Sequence, residues 1–276
     1  MKAIYQPSGK AAEYSKWACN FYVGCSNGCT YCYCKTGILA GVMGGDKPTL
    51  KKCFRDEKHA IEVFEKELKA NLPELQKHGL FFSFTTDPFL EETIKLTDQA
   101  ISICVWYNVP AKVLTKRADW VKGYMIKKEN MFIDFPMYLR SKYRQRIAIG
   151  FTLTGHDELE PGASTNQERI NAMRKLHDVG FKTWASIEPI VDFESSLKMI
   201  TKTVGFCDLY KVGLMSGGNY KGVEINYFMN MVMRQLSGVV KIYWKDSLLK
   251  AAGITQNQLP PNCVDRDYNI FQEDAK

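Results

Sequence analysis

Ile147-Ala148-Ile149-Gly150-Phe151-Thr152-Leu153, then Thr165-Asn166-Gln167-Glu168, then Lys182-Thr183-Trp184-Ala185-Ser186-Ile187 decide the fold. The first run reads as a strand, the second as a capping box opening a helix that stops at Gly180, and the third as a strand again. The same alternation continues outward in both directions. Toward the N-terminus, Glu57 to Leu72 is a helix with Ile61, Phe64, Leu68 and Leu72 on one stripe, and Glu92 to Tyr107 is another. Leu80 to Phe84 and Ala111 to Thr115 are strands, and Asp119 to Lys128 is a short helix. Toward the C-terminus, Phe193 to Val204 and Glu224 to Leu236 are helices, with Asp208 to Leu214 and Val239 to Trp244 as strands. Trp17 to Val23 reads as a further strand, and the glycine-rich residues 35–55 as a loop. Strands alternating with helices of this length predict an α/β protein with a parallel sheet. Six such units, with no G-x-G-x-x-G after the first strand, predict a partial parallel (β/α)6 barrel over residues 1–253. Residues 254–276 are expected to form a C-terminal tail packing on the barrel.

In parallel barrels the chemistry sits at the carboxyl ends of the strands. Those ends carry Thr85, Thr86 and Asp87; Lys116; Thr152 and Thr154, with His156 beyond; Ser186 and Glu188; and Trp244-Lys245-Asp246. Asp87 and Lys116 are prominent because a charged residue at a buried strand end needs a partner. His156, Lys245 and Asp246 are the candidate catalytic proton carriers.

The loop at residues 24–34 places Cys25, Cys29 and Cys32 at C-x3-C-x2-C spacing beside Gly24 and Gly28. Three thiolates on one short loop can grip one face of a 4Fe-4S cluster and leave one iron open to a ligand that is not protein. A zinc site would need four ligands, usually two separated C-x2-C pairs, with Cys34 or Cys19 as a cramped fourth and no second pair downstream. A disulfide framework does not suit a chain of this length without a secretory signal. A metal- or redox-sensing binding protein that uses the loop structurally is the rival reading from a different class.

With its aromatic Tyr31 before the third cysteine, the loop resembles that of the radical S-adenosylmethionine (SAM) superfamily. Within it, residues 10–200 look most like the spore photoproduct lyase-like branch. The stretches Asn20-Phe21-Tyr22-Val23-Gly24-Cys25, Thr85-Thr86-Asp87-Pro88-Phe89, Val113-Leu114-Thr115-Lys116, Thr152-Leu153-Thr154 and Leu159-Glu160-Pro161-Gly162-Ala163 with Arg169 carry that likeness.

The resemblance implies a 4Fe-4S cluster on the three cysteines, SAM on its open iron, and cleavage of SAM to a 5′-deoxyadenosyl radical that abstracts hydrogen from a substrate. It also implies that Thr86 and Asp87 receive the SAM amino group and that Lys116 meets its carboxylate. Thr152 or Thr154 would hold the ribose, Tyr31 or Tyr33 would lie near the adenine, and Arg169 would belong to the cofactor site. The photoproduct lyases carry a hydrogen-donating cysteine beside the second-strand polar residues, where this chain has Thr85 or Thr86, so repair of a DNA or RNA lesion is the alternative rather than the first expectation. A small nucleobase-like substrate is expected, with queuine lyase-type 7-deazaguanine salvage as the specific form: cleavage of queuine to 7-aminomethyl-7-deazaguanine. Glu188 or Asp192 would then read the guanine-like edge, and Trp244 would stack on the base. An electron donor such as flavodoxin or ferredoxin is the implied partner.

The composition supports these expectations without selecting among them. Lys and Arg total 37 against 30 Asp and Glu, a net charge of +7, which is compatible with an anionic substrate or with nucleic acid. Basic clusters at Lys51-Lys52, Lys127-Lys128 and Arg140 to Arg146 read as solvated surface or as a polar connection into a strand. The N-terminus lacks an apolar core and no run reaches bilayer length, so a cytoplasmic protein without membrane contact is expected, where reduced thiols persist.

Overall fold

The computed structural model describes residues 2–38, 40–121, 141–236, 238 and 240–272. The expected helix at Asp119 to Lys128 beyond Val121, the pair Lys127-Lys128, and Leu139 and Arg140 of the third basic cluster lie outside them.

Among the described residues ten strands occur in chain order: β1 (Ile4–Tyr5), β2 (Ala18–Cys19), β3 (Tyr22–Val23), β4 (Thr49–Leu50), β5 (Leu80–Phe82), β6 (Ala111–Thr115), β7 (Ile147–Thr152), β8 (Lys182–Ile190), β9 (Leu209–Leu214) and β10 (Lys241–Trp244). Eight of them form one sheet in the order β1-β2-β5-β6-β7-β8-β9-β10. Every neighbouring pair in it is parallel except β1 with β2. β1 and β10 form the two edges, so the barrel is partial and open. The principal helices are α1 (Glu57–Ala70), α2 (Leu72–His78), α3 (Ile94–Trp106), α4 (Asn166–Asp178), α5 (Phe193–Thr203), α6 (Gly222–Leu236) and α7 (Asp246–Ala252).

Local chemistry accounts for the starts of these helices. Asp56 caps α1 by accepting from His59 N, and Thr165 with Glu168 forms the expected capping box of α4. The expected strand Trp17 to Val23 is instead two short strands in different sheets: β2 joins the barrel, and β3 pairs with β4. The expected single helix Glu57 to Leu72 breaks at Asn71, and α2 follows with proline in its first turn.

Alternation along the strands splits the core into two layers. Ala185 and Ile187 of β8 pack outward among the helices, whereas Trp184 turns inward beside Ala18, Phe81, Ala148 and Leu209. Ile270 of the C-terminal segment closes that inner cluster from below, and Val264 N bonds Ile242 O at the β10 edge. Above the apolar plug the inner face becomes polar. The register aligns Thr152 with Ser186, Ser186 with Lys211, and Lys211 with Tyr243, so Glu188 and Lys245, two residues further on, point inward one layer higher.

Candidate active site

A cavity of about 660 Å3 opens at the carboxyl ends of the strands. Cys25, Cys29 and Cys32 line one wall together with Asn27, Thr86, Asp87 and Lys116, while Tyr14, Ser186, Glu188 and Lys245 line the other.

The cysteine wall is held by backbone hydrogen bonds to two neighbouring segments. Gly24 N donates to Met43 O (3.2 Å) and Cys25 N to Gly45 O (2.9 Å), while Thr30 N donates to Leu159 O and Gly162 N to Asn27 O, each at 2.9 Å. Gly24 has φ +81°, and a Cβ there would lie 2.4 Å from Lys47 O, so both its backbone angle and its surroundings require glycine. Asp87 ties the wall to β6. Its Oδ1 accepts from Thr115 Oγ1 (2.7 Å) and Phe89 N (3.0 Å), and its Oδ2 from Asn27 Nδ2 (2.8 Å) and Lys116 N (2.7 Å).

With two donors on each oxygen, Asp87 has no free lone pair for an incoming ammonium. Two other acceptors beside it are orphaned, Thr86 Oγ1 and Asn27 Oδ1, both buried and without a hydrogen-bond partner. Because Asn27 Nδ2 is fixed by Asp87, it is the carbonyl oxygen of Asn27 that remains open. Buried acceptors left unpaired cost about 1–3 kcal/mol each, a cost that a bound donor removes.

Lys116 lines the cavity with its Nζ 5.5 Å from the Tyr31 ring centroid and 4.0 Å from Glu160 Oε1. Burial opposes its charge, but Tyr31, Cys29 and Glu160 outweigh that and hold its pKa above the usual lysine value. Burial pushes Cys25 up to about 11, with the charge of Asp87 adding to it, and raises Cys29 too. The hydrogen bond from Cys34 draws Cys32 down to about 6 against its burial. All nine cysteines are free thiols.

The other expected residues divide sharply. Thr152 faces the cavity, as do Tyr31 and Tyr33, whose hydroxyls donate to Glu160 and to Phe84 O respectively. Arg169 and Thr154 do not: both are fully buried. Arg169 donates to Ser164 O, Thr152 O and Glu160, which fixes the end of β7. His156 sits between Glu158 and Asp192 away from the cavity, and Asp192 caps α5 by accepting from Ser195 N (2.7 Å). Trp244 turns outward from the barrel, wholly buried against Phe228, because alternation along β10 sends Tyr243 and Lys245 inward. Asp246 opens α7 and accepts from Tyr243 OH and Arg266. Arg169, Thr154, His156, Asp192, Trp244 and Asp246 thus do not line the cavity in this structure.

On the opposite wall, Lys245 Nζ lies 2.6 Å from Glu188 Oε2 and 3.4 Å from Glu13 Oε2. Tyr14 OH donates to Glu188 Oε2 at 2.5 Å, and burial together with Glu188 drives its pKa well above the usual tyrosine value. Sequence patterning does not find Tyr14, because residues 3–20 carry no periodicity. Asn27 is hidden between two cysteines, where only the hydrogen-bond geometry distinguishes it.

The donors on this wall are of the kind an iron–sulfur cluster takes, three cysteine thiols on one loop. Among the described residues no three Cys, His, Asp or Glu side chains converge on one metal ion. A cube holds each thiolate on a different iron, and Cys25, Cys29 and Cys32 all line the cavity.

No protein-family model matches the chain. It is 25% identical over 209 residues to the uncharacterized protein MJ0683 of Methanocaldococcus jannaschii, covering 71% of this chain and 69% of that protein. It is 23% identical over 204 residues to the uncharacterized ORF301 of Acidianus two-tailed virus, covering 67% of this chain and 62% of that protein. A cysteine-to-alanine mutant of spore photoproduct lyase aligns with a TM-score of 0.61 over 87% of this chain and 79% of its own, at 14% identity. The fold resembles that of spore photoproduct lyase. The same lyase complexed with dinucleoside spore photoproduct gives 0.56 at 15% identity, over 84% of this chain but 64% of the lyase chain, so this protein spans less than two thirds of that length. SuiB of Streptococcus suis bound to S-adenosylmethionine gives 0.52 at 12% identity, over 83% of this chain and 47% of SuiB.

Proposed function

We propose that this protein is a radical SAM enzyme. The observation that carries the reading is the cysteine wall: three thiols, two orphaned buried acceptors and a cation lining one side of one cavity at the barrel mouth. Cys25, Cys29 and Cys32 would hold a 4Fe-4S cluster. Thr86 Oγ1 and Asn27 Oδ1 would accept from the SAM amino group, Lys116 would meet its carboxylate, and Thr152 the ribose. When bound, the cluster and SAM supply one-electron chemistry that ends in hydrogen abstraction from a substrate C–H bond.

The chain's own contribution is position and exclusion of water. Asp87 locks the cysteine loop to β6 through three hydrogen bonds, from Asn27, Thr115 and Lys116, and Glu160 with Arg169 locks Tyr31 to the end of β7. Leu114, Leu214, Met215 and Phe84 give the remaining cavity apolar sides that keep reactive species from water. The cavity must hold SAM and substrate together, which favours a small substrate. Queuine is the specific one to assay. Of the three residues expected to read it only Glu188 faces the cavity, so the substrate rests on that side chain alone. A reducing cytoplasm with a flavodoxin or ferredoxin as electron donor suits nine free thiols.

The test is anaerobic reconstitution with iron and sulfide, reduction, and assay of 5′-deoxyadenosine with and without queuine, in wild type and Cys29→Ala. Cleavage in wild type and none in the variant is expected, with queuine stimulating it. No cleavage from fully loaded, reduced wild type contradicts the class; cleavage indifferent to queuine discards that substrate. Lesion repair is the second reading, favoured by the fold shared with a lyase that binds a dinucleoside photoproduct. It requires tight oligonucleotide binding that weakens steeply with salt.

A further inference from the structure

Glu188 stands on the cavity wall opposite the cysteines with one oxygen occupied and the other open. Its Oε2 takes Lys245 Nζ at 2.6 Å and Tyr14 OH at 2.5 Å, while its Oε1 accepts from no described residue. Three features keep this carboxylate from turning. Tyr14 is anchored a second time by Ser186 Oγ at 2.8 Å, and its ring packs on Phe81, Phe84 and Trp184. Lys245 Nζ lies 4.2 Å from the centre of the same ring and is shared with Glu13, which is itself fixed by Tyr243 OH and Asp246 N. Gly213 provides the space: a Cβ there would fall 2.7 Å from Lys245 Cδ and 2.8 Å from Glu188 Oε1.

We propose that Glu188 is the specificity-determining residue of the substrate half of the cavity, reading a planar heterocycle through an N–H donor edge, with Tyr14 and Lys245 as positioning residues. A carboxylate held on one oxygen offers a fixed acceptor on the other, and binding sites gain orientation from a few such placed polar groups among apolar walls. Phe84, Leu214 and Met215 line the same cavity and give a flat body apolar surface. The inference deepens the radical SAM reading by naming the class of substrate that shares the cavity with SAM.

The test uses guanosine and inosine, which differ only in one exocyclic N–H donor group, by equilibrium titration of the purified full chain without SAM. Wild type is expected to bind guanosine roughly tenfold more tightly than inosine, the scale of one hydrogen bond to a charged acceptor, and Glu188→Gln to bring the two within about twofold. Equal binding by wild type, or a preference that survives in Glu188→Gln, overturns the proposal. Should Glu188→Gln not give a cooperative melt, Tyr14→Phe is read instead: the guanosine to inosine ratio is expected to fall at least about threefold, and an unchanged ratio overturns the positioning role and with it the proposal. Because binding is read without SAM, a failure of SAM cleavage leaves this ratio standing, and a failure of the ratio leaves the cleavage assay standing.

Discussion

The two walls of the cavity solve opposite problems. The cysteine wall is fixed by backbone hydrogen bonds between loops, yet it keeps two buried side-chain acceptors without partners. The Glu188 wall is held by side chains that pair with one another, a lysine between two carboxylates and two tyrosines as donors, with Glu188 Oε1 open and Glu13 Oε2 facing only the lysine at 3.4 Å. One wall is incomplete without a ligand, and the other is organised before any ligand arrives. Substitutions on the first should change binding more than stability, and on the second they should change stability as well.

The largest expected effect is on chemistry. Cys29→Ala removes one of three thiols from a wall that needs all three, so 5′-deoxyadenosine formation should fall at least about a hundredfold while the melting temperature of the unloaded protein barely moves. Next is Lys245→Met, which leaves Glu13 and Glu188 without their shared cation. Stripping one partner from a buried pair costs about 3–5 kcal/mol; because Glu188 is partly exposed, a loss of about 3 kcal/mol in urea unfolding is expected. Equal stability would mean that the second wall is not preorganised.

Thr86→Val sharpens the contrast, since it deletes an orphaned hydroxyl. The unloaded protein should gain up to about 1 kcal/mol, while SAM affinity falls roughly tenfold by calorimetry. A variant that loses stability would show that Thr86 already has a partner in solution.

The smallest effect belongs outside both walls. Burial lowers the pKa of His156, but Glu158 and Asp192 outweigh it and hold the folded value above the usual one. A raised folded pKa stabilises below the unfolded value of about 6.5 and loses that stabilisation as pH climbs through the folded value. The melting-temperature gap between wild type and His156→Gln should therefore be widest in acid and close at alkaline pH, while SAM cleavage stays unchanged throughout.

Much of this architecture was legible in the residues. The alternation from Leu80 to Trp244 and the capping box at Thr165 predict the parallel sheet, because local spacing sets element type and both features are local. Alternation also tells which side chains on a strand share a face, but not which face looks inward, and that is why the neighbours Trp244 and Lys245 both read as site residues when only Lys245 lines the cavity. Arg169 and Asp87 illustrate a second limit. Charge at a strand end signals a need for partners, and the sequence does not say whether those partners are ligand or chain: Asp87 finds all four within the protein, and Arg169 finds Glu160 and two carbonyls. Tyr14 comes from a stretch with no pattern, so only folding brings it to Glu188, 174 residues away.

The most direct measurement is the electron paramagnetic resonance spectrum of the reconstituted, dithionite-reduced protein before and after SAM is added. A cluster held by Cys25, Cys29 and Cys32 with an iron open beside Thr86 and Asn27 should change its spectrum on SAM addition in wild type, and Thr86→Val should need a higher SAM concentration for the same change. A reduced cluster whose spectrum ignores SAM, or a loop that takes up zinc tetrahedrally in place of iron and sulfide, would contradict the account.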